Sequence, residues 1–267
     1  MPNIKGIEKF KGEKIHSGYF KSGKPYQNKN VLVFGTGTSS HDVCQDLHAN
    51  GANVTMVQRS PTMIVNLEPS AQLPYALYQE GPSTDDCDLI AISSPLSVLK
   101  KTHQILTKQS KKLDSELLKK LEKIGFVLDY GEDNTGWQFK YLTRGGGYYF
   151  NVGASNLVAD QKIKLIQFSD IKEFLSDGII HNSKKLEYDS FIFATGYKGQ
   201  EYMVKKFFGN EVANKVGKIW NFNTKKQELN NMFVKTNQQG LWFIAGSLAQ
   251  CRIFSKYLSF QISKELK

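Results

Sequence analysis

Asn30-Val31-Leu32-Val33-Phe34-Gly35-Thr36-Gly37-Thr38-Ser39-Ser40 is the stretch on which the reading of the fold turns. The run from Val31 to Phe34 is continuously apolar, β-branched or aromatic, the pattern of a strand buried on both faces of a parallel sheet. Beyond the glycines, Val43 and Leu47 stand at i, i+4 within Ser39–Asn50, and Asn50-Gly51 offers a helix exit. Asn53 to Gln58, with Val54, Met56 and Val57, predicts a second strand. Strand, glycine turn, helix and strand within one short stretch make a βαβ unit and predict an α/β fold.

In that setting the turn has a chemical reading. Gly35 permits the tight bend, and Gly37 lets the backbone approach a pyrophosphate. The free N–H groups and positive end of the following helix would receive the negative charge. Ser40 stands where a third glycine is usual, and the Thr38 and Ser39 hydroxyls are candidate phosphate donors. The second strand ends Val57-Gln58-Arg59-Ser60, without the carboxylate that holds a ribose 2′-hydroxyl. Arg59, assisted by Ser60, instead suits a 2′-phosphate, which predicts NADP(H) rather than NAD(H).

Outward from this unit, Met1 to Asn28 reads as an extended lead-in. Asp85 to Ile124 is helical in pattern, with Leu113, Leu117, Leu118 and Leu121 at helical spacing and a start within Ser110–Asp114. Tyr130 to Gly136 predicts a loop. Short strands are expected at Lys162–Gln167 and Ile179–His181, and buried ones at Ser190–Ala194 and Leu241–Ala245. A final helix is expected from about Ser247 to Leu266. Gly145-Gly146-Gly147 reads as a loop, with a flexible lid as the alternative. Arg252 and Tyr257 lie on the last helix, where a surface position is the simpler reading than a cofactor contact.

Composition narrows the function classes. The chain has 267 residues, 40% hydrophobic, with a net charge of +10. Eight lysines fall between Lys100 and Lys123, interleaved with Asp114, Glu116, Glu122 and the leucines, which is the pattern of a solvated helix face. No nucleic-acid-binding motif accompanies them. No run of about 18 apolar residues suggests a membrane span, and the N-terminus does not read as a secretory signal. Cys44, Cys87 and Cys251 are widely spaced and form no CxxC, which argues against a disulfide scaffold, a zinc ribbon or a redox cysteine pair and suits the cytoplasm. No metal site is expected.

Three further segments resemble the flavin-containing monooxygenases, the class B flavoprotein monooxygenases. Phe10-Lys11-Gly12-Glu13-Lys14-Ile15-His16-Ser17-Gly18-Tyr19-Phe20 matches the identifying motif FxGxxxHxxx(Y/F) at Phe10, Gly12, His16 and Phe20. Phe193-Ala194-Thr195-Gly196-Tyr197 is similar to the family's ATG motif, placed where the chain crosses between the NADPH and flavin domains. Gly240-Leu241-Trp242-Phe243-Ile244-Ala245-Gly246 resembles its C-terminal flavin-domain segment. The resemblance implies NADP(H) held by Gly35, Gly37, Thr38, Ser39, Ser40, Arg59 and Ser60, with Thr195 and Gly196 at the crossing. It implies hydride transfer from NADPH to FAD, then oxygenation of a soft nitrogen or sulfur nucleophile through a C4a-hydroperoxyflavin, with no protein nucleophile required. His16 would be either a hinge-like element or a hydrogen-bonded linker residue.

The expected organisation is a linker (residues 1–28), a Rossmann-like NADP-binding domain with a helical insert (29–182), and the returning C-terminal remnant of a FAD-binding domain (183–267). The family's first glycine turn, which holds the FAD pyrophosphate, has no counterpart here, so FAD binding is doubtful for this chain alone. The expected partners are a small-molecule substrate and either a complementary N-terminal FAD-binding half or a second copy. The alternative function is an inactive NADP(H)-binding fragment. Nucleic acid and membrane are not expected partners.

Overall fold

A computed structural model describes every residue except Thr224, and for Glu80 the backbone alone. In chain order its strands and helices are β1 (Glu13–His16), β2 (Asn30–Phe34), α1 (Thr38–Ala49), β3 (Asn53–Gln58), β4 (Met63–Asn66), α2 (Ala76–Glu80), α3 (Thr84–Ser93), α4 (Leu96–Leu113), α5 (Ser115–Lys123), α6 (Gly136–Arg144), β5 (Tyr148–Asn151), α7 (Ala154–Ala159), β6 (Lys164–Gln167), β7 (Ile171–Phe174), β8 (Gly178–His181), β9 (Lys184–Glu187), β10 (Ser190–Phe193), α8 (Gln200–Val216) and α9 (Leu248–Glu265). The chain divides into two compact units. The first comprises Met1–Gln79, Lys100–Lys140 and Gly146–Thr195; the second comprises Glu80–Leu99, Tyr141–Gly145 and Gly196–Lys267.

The first unit is built on a parallel five-stranded sheet of order β1-β10-β2-β3-β6. Side chains on successive strand residues point to opposite faces, and both faces are apolar, which explains the continuous run from Val31 to Phe34. Val31, Val33, Val54, Met56 and Ile192 bury one face against Val43 and Leu47 of α1, Leu117 and Leu121 of α5, and Val158 of α7. Leu32, Phe34, Val57, Phe191 and Phe193 bury the other, and there the cover is not helical. Phe174 and Ile179 of the antiparallel sheet β7-β8-β9 pack on it, together with Phe10. The α/β architecture therefore has helices on one side of the parallel sheet and a small β-meander on the other.

Three sequence expectations change, the third of them at Leu241–Ala245. The lead-in is more than extended chain, because Glu13–His16 pairs in parallel with Ser190–Phe193 and forms the edge of the main sheet. Its Phe10 ring stacks on Phe191 at a centroid distance of 3.6 Å. Gly12 leaves room for that ring, since a Cβ there would lie 2.6 Å from the Asp189 carbonyl oxygen as well as against Phe10. The helical stretch after Asp85 is three helices, and α5 starts one residue beyond the predicted window. Asp114 sits at its N-cap, buried, and accepts hydrogen bonds from the Asn66 backbone (3.0 Å), the Asn66 amide (2.8 Å) and Ser70 Oγ (2.7 Å).

The second unit has its own core, in which Val204 and Val216 of α8 and Leu258 of α9 meet Ile219, Met232 and Phe233. Leu241–Ala245 does not form the predicted strand. Among the described residues no strand lies alongside it to complete a ladder; its backbone accepts instead from Phe233 N–H at the Phe243 carbonyl (2.9 Å) and from Thr236 Oγ1 at the Leu241 carbonyl (2.8 Å). Its apolar side chains instead cover the α8–α9 core. Ser247 and Gln250 close a reciprocal capping box at the start of α9. Arg252 is engaged in a two-pronged ion pair with the buried Asp88 of α3, Nε to Oδ2 at 2.9 Å and a terminal nitrogen to Oδ1 at 2.5 Å. Gly145–Gly147 forms the turn from α6 into β5. No helix among the described residues is long and apolar enough to cross a membrane.

The Phe10 stack makes the first motif residue a core residue. Phe10→Ala is expected to cost about 3 kcal/mol of stability, in the range for deleting a buried aromatic, measured as a lowered urea midpoint. An unchanged midpoint would show that the segment is not docked in solution.

Candidate functional site

The parallel register brings the strand ends into line. His16, Phe193, Phe34, Val57 and Ile166 are successive partners across the five strands, so the segments following them leave the sheet along one edge. Adjacent strands are about 4.8 Å apart. The edge therefore places, side by side, His16 at the end of β1, Thr195 beyond β10, the Gly35–Ser40 turn beyond β2, and Arg59-Ser60 beyond β3. From β2 the strand order runs through β3 to β6 on one side and through β10 to β1 on the other. Such a reversal opens a crevice at the carboxyl ends of the strands, the usual ligand position in open α/β sheets.

The glycine turn is built for close approach. Gly35 has φ +124°, and a Cβ there would overlap the carbonyl oxygen of Ala194 just beyond β10. Gly35 N–H donates to the Val57 carbonyl (2.9 Å), and the Gly35 carbonyl accepts from Ser40 Oγ (2.6 Å). Ser40 is fully buried, so its hydroxyl locks the turn and does not face a ligand. Gly37 is the N-cap of α1 and offers no side-chain cap; nothing lies within 4 Å of the place where its Cβ would be. That open space lies over the positive end of a 12-residue helix. Thr38 and Ser39 are in its first turn, and Thr38 Oγ1 lies 3.3 Å from the Tyr148 carbonyl.

At the end of β3, the buried Gln58 side chain is committed to structure. Its Oε1 accepts from Val127 N–H at 2.8 Å and its Nε2 donates to the Val127 carbonyl at 2.9 Å. Arg59 and Ser60 are exposed, and Arg59 makes no ion pair among the described residues. Arg59 and the uncapped N-terminus of α1 therefore follow adjacent strands along the same sheet edge.

The first motif is split by the fold. His16 reaches the crevice edge, where its Nδ1 accepts from Gly18 N–H at 3.1 Å. Phe10 and Gly12 lie at the opposite end of β1, and Phe20 packs beside Tyr26 against the helical face. Thr195 and Gly196 are exposed, Gly196 with φ +80°. Thr195 is the last residue of the first unit, and Gly196 begins the last of the three segments of the second.

The sequence reading missed His41, one turn into α1. Its ring is fully buried, stacked on Tyr149 at 4.0 Å, with Nδ1 3.2 Å from the Gly37 carbonyl. Burial lowers its pKa to about 4, and burial does the same to His103 of α4. Both are therefore neutral in the folded chain while the unfolded chain titrates near 6.5. As pH falls from about 6.5 to about 4 the unfolded state takes up protons first. Stability is expected to drop, by up to about 1.4 kcal/mol per pH unit for each histidine. Urea midpoints measured between neutral and acid pH check this, and His103→Phe should flatten the slope; equal slopes in wild type and variant would contradict it.

Residues 1–109 match the model of the flavin-binding monooxygenase-like family. A probable indole-3-pyruvate monooxygenase of Arabidopsis thaliana, YUCCA3, is 32% identical over 204 residues, covering 74% of this chain and 40% of that protein. A second probable indole-3-pyruvate monooxygenase of Arabidopsis thaliana, YUCCA10, is 29% identical over 216 residues, covering 77% and 49%. The chain thus spans less than half the length of these relatives. Among solved structures, a flavin monooxygenase variant from Stenotrophomonas maltophilia superposes with a TM-score of 0.53 at 10% identity, covering 99% of this chain and 59% of that one. An NADP⁺-bound cyclohexanone monooxygenase variant from Rhodococcus sp. Phi1 gives 0.51 at 15% identity, covering 77% and 46%. These structural likenesses carry the fold, and the motifs and relatives carry the kinship: the chain belongs to the flavin-binding monooxygenase family, the class B flavoprotein monooxygenases.

Proposed function

We propose that the first unit is the NADP(H)-binding body of a flavin-dependent monooxygenase acting on a small molecule in the cytoplasm. The observation that carries this reading is the Gly35 turn. It stands at the reversal of strand order, with an uncapped helix N-terminus following it and, just past the neighbouring strand, an arginine that makes no ion pair among the described residues. Backbone N–H groups at Gly37, Thr38 and Ser39 would hold the pyrophosphate, Gly35 and Ser40 would keep the turn in shape, and Arg59 with Ser60 would hold the 2′-phosphate. Thr195 and His16 border the same crevice. NADPH supplies hydride when bound, and FAD in such enzymes accepts it and activates dioxygen. The part assigned to this chain is to bind and orient the nucleotide. Thr195 and Gly196 are assigned to the crossing of the chain beyond β10.

Exposed apolar side chains in the second unit favour a second reading. Phe207 is 67%, Leu248 90% and Phe260 72% exposed, more than a lone surface residue explains. On that reading the chain binds NADP(H) and works with an FAD-binding partner chain, or self-associates. Retention of a visible flavin absorbance band by the purified chain would exclude the need for such a partner.

Arg59→Ala tests the primary reading. NADPH affinity, followed by fluorescence titration, is expected to fall roughly 10- to 100-fold, the loss of a charge-assisted pair. NADH affinity should change far less. Equal binding of NADPH and NADH by the wild-type chain would refute the assignment.

A further inference from the structure

Three buried side chains lie beneath the exposed Arg59-Ser60 corner, and their hydrogen bonds have a direction. Thr36 is the residue between the two glycines of the turn, and Thr62 follows Pro61 just past the corner. Both are buried, with 5% and 3% exposure, and their hydroxyl oxygens are 2.6 Å apart. Thr62 Oγ1 also lies 3.3 Å from the Ser60 carbonyl, which can only accept. A hydroxyl has one hydrogen to give, so Thr62 donates to Ser60 and Thr36 must donate to Thr62. The result is a relay, Thr36 hydroxyl to Thr62 hydroxyl to Ser60 carbonyl, that joins the glycine turn to the arginine corner. Gln58 Nε2 lies 3.4 Å from the same Ser60 carbonyl. The Thr62 backbone is held on both sides, its N–H donating to Val127 (3.2 Å) and its carbonyl accepting from Asp129 (3.3 Å).

We propose that Thr62 is a positioning residue for nucleotide selectivity, setting through Thr36 the spacing between the pyrophosphate turn and the 2′-phosphate corner. The inference rests on the assignment of Gly35–Ser40 and Arg59 to NADP(H). Arg59 has a long, flexible side chain, and its affinity for a phosphate depends on how much freedom must be lost on binding. A corner fixed from beneath reduces that loss. The two hydroxyls lie where water is excluded, so each bond strengthens the next and neither has a solvent substitute. Valine at position 62 keeps the shape and breaks both links at once, leaving the Thr36 hydroxyl without its acceptor.

The test is titration of the full chain with NADPH and with NADH, in wild type, Thr62→Val, Thr62→Ser, Arg59→Ala and the Thr62→Val/Arg59→Ala double variant. The expected result is an NADPH:NADH selectivity lowered about tenfold by Thr62→Val, as for loss of one buried hydrogen bond, and restored by Thr62→Ser. In the Arg59→Ala background, Thr62→Val should no longer change selectivity. Thr36→Val breaks the same relay from its other end and serves if Thr62→Val fails to fold. Unchanged selectivity in Thr62→Val, or losses that simply add to those of Arg59→Ala, would overturn the proposal while leaving NADP(H) binding intact. A wild-type chain without preference for NADPH would overturn both.

Discussion

The carbonyl oxygen of Ala194 occupies the space that a side chain on residue 35 would need. That exclusion ties β10 to the glycine turn, and the rest of the first unit follows from it. With β10 held beside β2, the sheet grows outward in both directions from this pair, and the crevice opens where the two directions part. Ala194 N–H completes the join by donating to Phe34 at 2.9 Å. Both partners come from apolar strands, so the join is buried and stiff. A ligand would meet backbone already in place, which lowers the entropy lost on binding.

Where local pattern and tertiary packing agree, the fold was legible in the sequence. The β2-α1-β3 unit is one such place, because Val31–Phe34 is buried on both faces and Asn50-Gly51 ends the helix as its chemistry suggests. β10 is another. β1 was not legible, since Glu13-Lys14-Ile15-His16 is an edge strand with a single apolar residue and has no pattern to display. Leu241–Ala245 shows the opposite error: a continuous apolar run signals burial, and burial against the α8–α9 core satisfies it without a strand. Of the β-meander cover on the second face only the central strand, expected at Ile179–His181, was legible, because its strands are only four residues each.

Much of the candidate site was visible as residue types, and its internal wiring was not. Gly35, Gly37 and Arg59 stand out by chemistry alone. The locking role of Ser40, the commitment of Gln58 to Val127 and the Thr36–Thr62 contact are side-chain-to-distant-residue bonds that no spacing rule reveals. The charge shows the same division. The lysines of α4 and α5 cover an exposed helical surface, as their interleaving with leucine suggests. Arg252 reads as a solvated residue from its place on the last helix, yet it reaches a buried aspartate 164 positions earlier in the chain.

The pairing of β1 with β10 also bears on how the molecule is made. Its register joins residues 13–16 to residues 190–193, so the edge strand leaves the ribosome long before its neighbour exists. Until then the Phe10 ring has no Phe191 to stack on, and the Gly35 turn has no carbonyl to close against. At about 5–20 residues per second of synthesis, the nascent chain spends on the order of ten seconds or more with an unfinished sheet. A helper that shields aromatic segments during that interval would act on this protein's yield without touching its final stability.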